Sequence, residues 1–158
     1  MDRLWNPWRF QYVSQEKKSE GCIFCDLPKE GKDEENLIVH RATFNYVILN
    51  RYPYTTGHLM VVPFKHTDSL LGIDDAAARE LFELVRIADG KLRGVYRPRG
   101  MNLGMNQGEA AGAGIAEHIH MHVLPRWIGD ANFMTVIGET RILPEELSET
   151  YRKLKAVF

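Results

Sequence analysis

Hydrophobic and polar positions along the chain alternate between two periods. Leu37–His40, Phe44–Leu49 and His58–Val62 are short apolar, β-branched and aromatic runs, which predicts three strands. Arg41-Ala42-Thr43 and the stretch from Asn50 to Gly57 separate them as turns. Leu59, Met60, Val61 and Val62 are apolar at both parities, as expected of an interior strand covered on both faces. The period then changes. Leu81, Leu84, Val85, Ala88, Leu92 and Val95 fall on one stripe at helical spacing, behind Asp74 or Asp75 as a cap. Gly90 costs such a helix about 1 kcal/mol against alanine, so an end or a bend is expected there.

Strand-like alternation returns at Met101–Asn106, with Met101, Leu103 and Met105 opposite Asn102 and Asn106, and again at Glu117–Leu124. Pairing of these two segments as a hairpin would put the asparagines on one face with His118, His120 and His122 and turn the apolar residues to the long helix. Pro144 is expected to open a final helix, with Glu145 and Glu146 in its first turn and Arg152, Lys153 and Lys155 late. Leu147, Tyr151 and Leu154 would be its buried stripe. The elements describe one α+β domain spanning residues 1–158: an antiparallel sheet, one long helix packed on it and a C-terminal helix. Residues 1–20, with Trp5, Trp8, Phe10 and Tyr12, read either as an aromatic arm packed on the body or a second subunit, or as a partly ordered terminus.

The chemistry concentrates in His118-Ile119-His120-Met121-His122-Val123-Leu124. Histidines two residues apart on an extended strand share one face, while Ile119, Met121 and Val123 share the other. A neutral imidazole is nucleophilic near pH 7 without an auxiliary base. His120, flanked on both sides, is best placed to attack phosphorus, and His122 to donate a hydrogen bond to an oxygen. Gly108, Gly112 and Gly114 lie in the connection just upstream, whose amides could cradle phosphate oxygens together with Asn106.

Composition narrows the classes. A net charge of −1 gives no electrostatic case for nucleic acid or an anionic membrane surface. No apolar run approaches the roughly 20 residues that cross a bilayer, and the N-terminus lacks signal-peptide order, so a cytoplasmic location is expected. Two cysteines, Cys22 and Cys25, cannot form the disulfide framework of a small secreted fold. Their Cys-x-x-Cys spacing suits a tetrahedral ion, a redox pair or two buried thiols.

The histidine run resembles the signature of the histidine triad family at every position. The resemblance continues through Leu49-Asn50-Arg51-Tyr52-Pro53, Gly57-His58-Leu59-Met60-Val61-Val62-Pro63 and Pro125-Arg126-Trp127. It implies an α+β fold of that family, usually a homodimer or higher homo-oligomer, acting on nucleotidyl–phosphate or phosphoramidate bonds. It implies His120 as the nucleophile, and Asn50 and Asn106 at positions that touch ribose or phosphate. Gly112, Ala113 and Gly114 are expected in the phosphate cradle, and Trp127 either as a wall of the substrate site or as a core or subunit-interface residue. Arg126 could reach a distal phosphate or be structural.

Arg3–Arg9 and Trp127–Phe133 resemble the bacterial branch that includes the diadenosine tetraphosphate phosphorylases. That branch implies an adenine dinucleotide as substrate and inorganic phosphate as acceptor. The Ala113-Gly114-Ile115 stretch lacks the side chains that triad hydrolases often carry there. The resemblance also implies a structural zinc on Cys22, Cys25, His66 and His118, and no organic cofactor. Three alternatives remain open: a hydrolase of dinucleoside polyphosphates or phosphoramidates, a nucleotide-binding adaptor, and a hydrolase with all three triad histidines on a catalytic metal. His40 and His58 are read as structural.

Overall fold

The computed structural model describes residues 21–132, 135, 137 and 143–158. The expected aromatic arm, and the parts of the branch resemblance at Arg3–Arg9 and Phe133, lie outside these residues. One helical turn, α1 (Ile23–Asp26), precedes β1 (Ile38–Arg41), β2 (Asn45–Leu49) and β3 (Leu59–Pro63). The long helix α2 (Asp75–Tyr96) follows, then β4 (Gly100–Gly104), β5 (Met121–Arg126) and α3 (Leu147–Lys155). The five strands form one sheet in the order β1-β2-β3-β5-β4, with every neighbouring pair antiparallel.

Both central strands β2 and β3 are buried along their whole length, as apolar residues at both parities require. Helix α2 starts where the Asp74 carboxylate accepts the Ala77 N–H at 2.9 Å. It buries Ala77, Leu81, Leu84, Val85, Ala88 and Leu92 over β2, β3 and β5. The helix does not end at Gly90. The buried stripe continues to Leu92, and its packing outweighs the roughly 1 kcal/mol propensity loss of one glycine. Helix α3 packs on β1 and α2, with Tyr151 and Leu154 buried.

Helix α3 begins at Leu147 rather than at Pro144. The reason is Glu145, whose carboxylate accepts from Tyr96 Oη at 2.6 Å and Thr150 Oγ1 at 2.7 Å and pairs with Lys153. Holding those partners keeps Glu145 outside the helix. Strand β5 is also displaced from expectation, starting at Met121, so that only His122 of the three histidines lies within it. Ahead of the strand, Ile119 N–H donates to Thr67 O at 2.8 Å instead of joining a ladder. Leu103, expected under the long helix, is half exposed on the edge strand β4, and α2 packs chiefly over β5, β3 and β2.

The β1–β2 turn is fixed to α2 by one carboxylate. Glu80 accepts from the amides of Thr43 (3.0 Å), Phe44 (2.7 Å) and Asn45 (2.9 Å) and from Asn45 Nδ2 (2.9 Å). Burial pushes the Glu80 carboxyl up, but these hydrogen bonds, led by the Asn45 side chain, hold it below the ordinary carboxylate value. Replacing Glu80 by alanine is expected to lower unfolding stability by about 2–4 kcal/mol at pH 7, measured by denaturant titration. A carboxyl with a depressed folded pKa stabilises above its unfolded value. The gap between the two proteins should therefore shrink as pH falls through 4.5 and below.

Candidate active site and metal centre

Two sulfurs and two imidazoles meet at one end of the sheet. The turn α1 places Cys22 and Cys25 on one side, closed by Cys25 N–H to Cys22 O at 2.9 Å. His66 follows β3 and His118 precedes β5, and pairing of Val61 with Met121 sets those strand ends side by side. The four ligand atoms lie within 4.8 Å of one another. His118 Nδ1 stands 3.2 Å from Cys22 Sγ and 3.6 Å from Cys25 Sγ, and His66 Nδ1 stands 3.4 Å from Cys25 Sγ. Around a tetrahedral zinc with normal bond lengths, neighbouring ligand atoms are roughly 3.5 Å apart, so the set fits such an ion.

The donor chemistry fits as well. His118 is fully buried, and its Nε2–H donates to Pro63 O at 2.8 Å, which leaves the Nδ1 lone pair facing the sulfurs. Burial, with Cys22 beside it, pushes the Cys25 thiol up to about 11. A cation among the four groups reverses that penalty by favouring thiolates. Among the described residues this is the one grouping with metal-ligand geometry, and neither His120 nor His122 joins it.

The three triad histidines therefore divide. His118 turns to the cysteines, while the His120 and His122 rings stand edge to face at 4.8 Å. His120 is 5% exposed, and its Nδ1–H donates to His118 O at 2.9 Å. That bond assigns the proton to Nδ1 and leaves the Nε2 lone pair available. Burial holds His120 below the ordinary histidine value. Burial, then the neighbouring His120, takes His122 down to about 4. Both rings are neutral near pH 7.

His58, read from sequence as structural, belongs to this group. Its Nδ1 accepts the Tyr54 N–H at 3.2 Å, so the proton sits on Nε2 and is donated to His122 Nδ1 at 2.9 Å. His122 must then carry its own proton on Nε2. The signal for this was the parity of His58 with Met60, which pairs with His122 across β3 and β5. His40 lies elsewhere, against the Phe158 ring.

The remaining expected site residues are placed less uniformly. Asn50 opens the β2–β3 turn, its Oδ1 accepting Tyr52 N–H at 2.9 Å and its own N–H bonded to His58 O at 2.9 Å. Asn106 Nδ2 reaches Gly112 O at 3.4 Å, and Gly112 takes a left-handed φ of +87°. Amides of Ala111, Gly112 and Ala113 donate back to Gly108 and Glu109 carbonyls within this turn. Of the expected cradle, the Gly112 and Ala113 N–H groups are therefore bonded within the turn. Trp127 stands edge-on to Tyr96 at the end of α2, at 6.4 Å, and is not brought to the histidines of its own chain. The cause is parity: Trp127 shares the parity of Val123 and Pro125, on the helix side of the sheet, and not that of the histidines. Arg126 is held by Asp130 at 2.6 and 2.8 Å and by Asn102 at 2.7 Å.

The HIT domain model matches residues 32–127. AP-4-A phosphorylase of Mycobacterium tuberculosis (strain CDC 1551 / Oshkosh) is 40% identical over 98% of this chain and 83% of that protein. Protein hit of Bacillus subtilis (strain 168) is 30% identical over 69% of this chain and 73% of that protein. Among solved structures, a zinc-bound histidine triad family protein from Mycobacterium smegmatis superposes with a TM-score of 0.69 at 28% identity. The superposition covers 87% of this chain and 93% of that one. On the triad, the fold and these matches, the chain belongs to the HIT domain family.

Proposed function

We propose that the protein is a nucleotidyltransferase of the phosphorylase type. It cleaves dinucleoside polyphosphates, diadenosine tetraphosphate foremost, through a nucleotidyl group carried on His120. The observation that carries this reading is the bond from His120 Nδ1–H to the His118 carbonyl, which leaves a buried neutral imidazole with only Nε2 able to attack. The 40% identity to AP-4-A phosphorylase over nearly the whole chain supports the substrate class.

In the first step Nε2 attacks the α-phosphorus in line. A P–N bond forms, the P–O bond to the remaining polyphosphate breaks, and that oxygen leaves with the electron pair. Positive charge on the substituted imidazole is stabilised through Nδ1–H on the His118 carbonyl. The His122 Nε2–H, oriented by His58, donates to an oxygen that gains charge. Inorganic phosphate then attacks the same phosphorus, restores His120 and yields a nucleoside diphosphate. Gly114, Asn106 and Asn50 line the approach to phosphate and ribose in this reading. Cys22, Cys25, His66 and His118 hold a structural zinc, which supplies a cross-link between α1, β3 and β5. The chain works as a homodimer joined at the open edge of β4, where Leu103 is half exposed.

Incubation with diadenosine tetraphosphate and inorganic phosphate should give ATP and ADP in equal amounts, read by chromatography. AMP as the product with phosphate present would establish water as the acceptor and overturn the phosphorylase assignment.

The acid limb of kcat/KM should lie below pH 6.5, because burial lowers both His120 and His122 and each stays neutral until pH falls through its depressed value. A limb at 6.5 or above contradicts a buried neutral pair.

Metal analysis of the purified protein should find about one zinc per chain. Cys25→Ser should abolish it and lower the melting temperature by roughly 10 °C. Unchanged metal content in that variant would remove Cys25 from the site.

A further inference from the structure

Phe24 sits between the two cysteines and is 3% exposed. Its ring lies against two imidazoles at once: 5.6 Å from His118, edge to face, and 4.9 Å from His120, tilted by 52°. Its carbonyl accepts the hydroxyl of the fully buried Tyr46 at 2.8 Å. The residue is thus tied to the sheet through β2 and to the metal-ligand set through both of its cysteine neighbours.

His120 needs such a contact. One hydrogen bond fixes which nitrogen carries the proton, but a ring held at a single atom still swings about that bond. His122 meets His120 at its edge, and Phe24 supplies a second wall. The four-residue turn Cys22-Ile23-Phe24-Cys25 therefore connects to the nucleophile by two routes. One runs through His118, whose ring faces the sulfurs and whose carbonyl receives the His120 proton. The other runs through the Phe24 ring.

We propose that Phe24 is a positioning residue for His120, and that through it the metal-ligand turn sets the aim of the nucleophile. This rests on the assignment of His120 as nucleophile made above. Phe24 holds the imidazole plane so that Nε2 points along the line of attack, and closure of the four ligands around an ion fixes the turn that carries Phe24.

The test compares Phe24→Ala, Phe24→Leu and, as a destabilised control, Leu154→Ala, each with its metal content measured. Leu154 is fully buried in α3, which packs on β1 and α2. Phe24→Ala should lower kcat with diadenosine tetraphosphate by roughly 10- to 100-fold while KM stays within about threefold. Phe24→Leu should recover part of that loss, and Leu154→Ala should keep the wild-type kcat. In parallel, long-range proton–nitrogen NMR of the imidazoles reports on His120 directly. Wild type should show a single Nδ1–H form, and the Phe24→Ala protein a broadened or mixed signal with metal still bound.

A wild-type kcat in Phe24→Ala, or a rise in KM alone, would make the ring a wall of the nucleotide site and overturn the proposal. So would an unchanged His120 spectrum. If Phe24→Ala fails to fold, the same criteria apply to Phe24→Leu. Should the wild-type protein turn over no dinucleotide at all, the functional assignment fails, while the NMR comparison still decides the positioning role.

Discussion

One hydrogen bond, from the ring of His120 to the backbone carbonyl two residues earlier, determines what this fold can do. A neutral histidine has one nitrogen that can donate and one that can attack, and the surrounding partners decide which is which. Here the partner is a carbonyl fixed by its own residue: the ring of His118 is buried, bonded to Pro63 and turned toward two cysteines. Which nitrogen of His120 keeps its lone pair is therefore specified by backbone geometry. The sheet exists to hold that geometry, with β3 and β5 paired so that the ligand-bearing ends of both strands coincide.

A second chain of hydrogen bonds follows the same logic in the opposite sense. The Tyr54 amide fixes His58, and His58 fixes His122, so that Nε2 of His122 is a donor. Acceptor and donor stand next to each other at 4.8 Å between ring centroids, both uncharged because both are buried. An attacking lone pair beside a directed N–H suits phosphoryl chemistry, in which the protein's work is positioning and charge stabilisation. Burial keeps the lone pair free at neutral pH, and the same burial demands the partners that orient each ring.

Much of this was legible in the linear chain because it depends on local periodicity. Spacing of the histidines, alternation in β2 and β3 and the apolar stripe of α2 all encode which face is buried. What escaped depends on partners distant in sequence. His58 meets His122 from 64 positions away, through the β3–β5 register. Glu145 leaves its helix for Tyr96, 49 positions upstream, and Trp127 follows the sheet's parity onto the helix side. The turn holding Gly112 and Ala113 bonds its own amides, a choice that glycine content alone does not reveal. Cys22 and Cys25 announced a ligand pair and the family resemblance added His66 and His118, which the adjacent ends of β3 and β5 bring to the cysteines.

The central claim is that Nε2 of His120 bonds to phosphorus. Rapid quenching during turnover of labelled diadenosine tetraphosphate, followed by peptide mapping in alkali, tests it most directly. An acid-labile adenylyl group on His120, bonded through Nε2, is the expected result. A label on His122 or His58, attachment through Nδ1, or full turnover with no labelled histidine would contradict it.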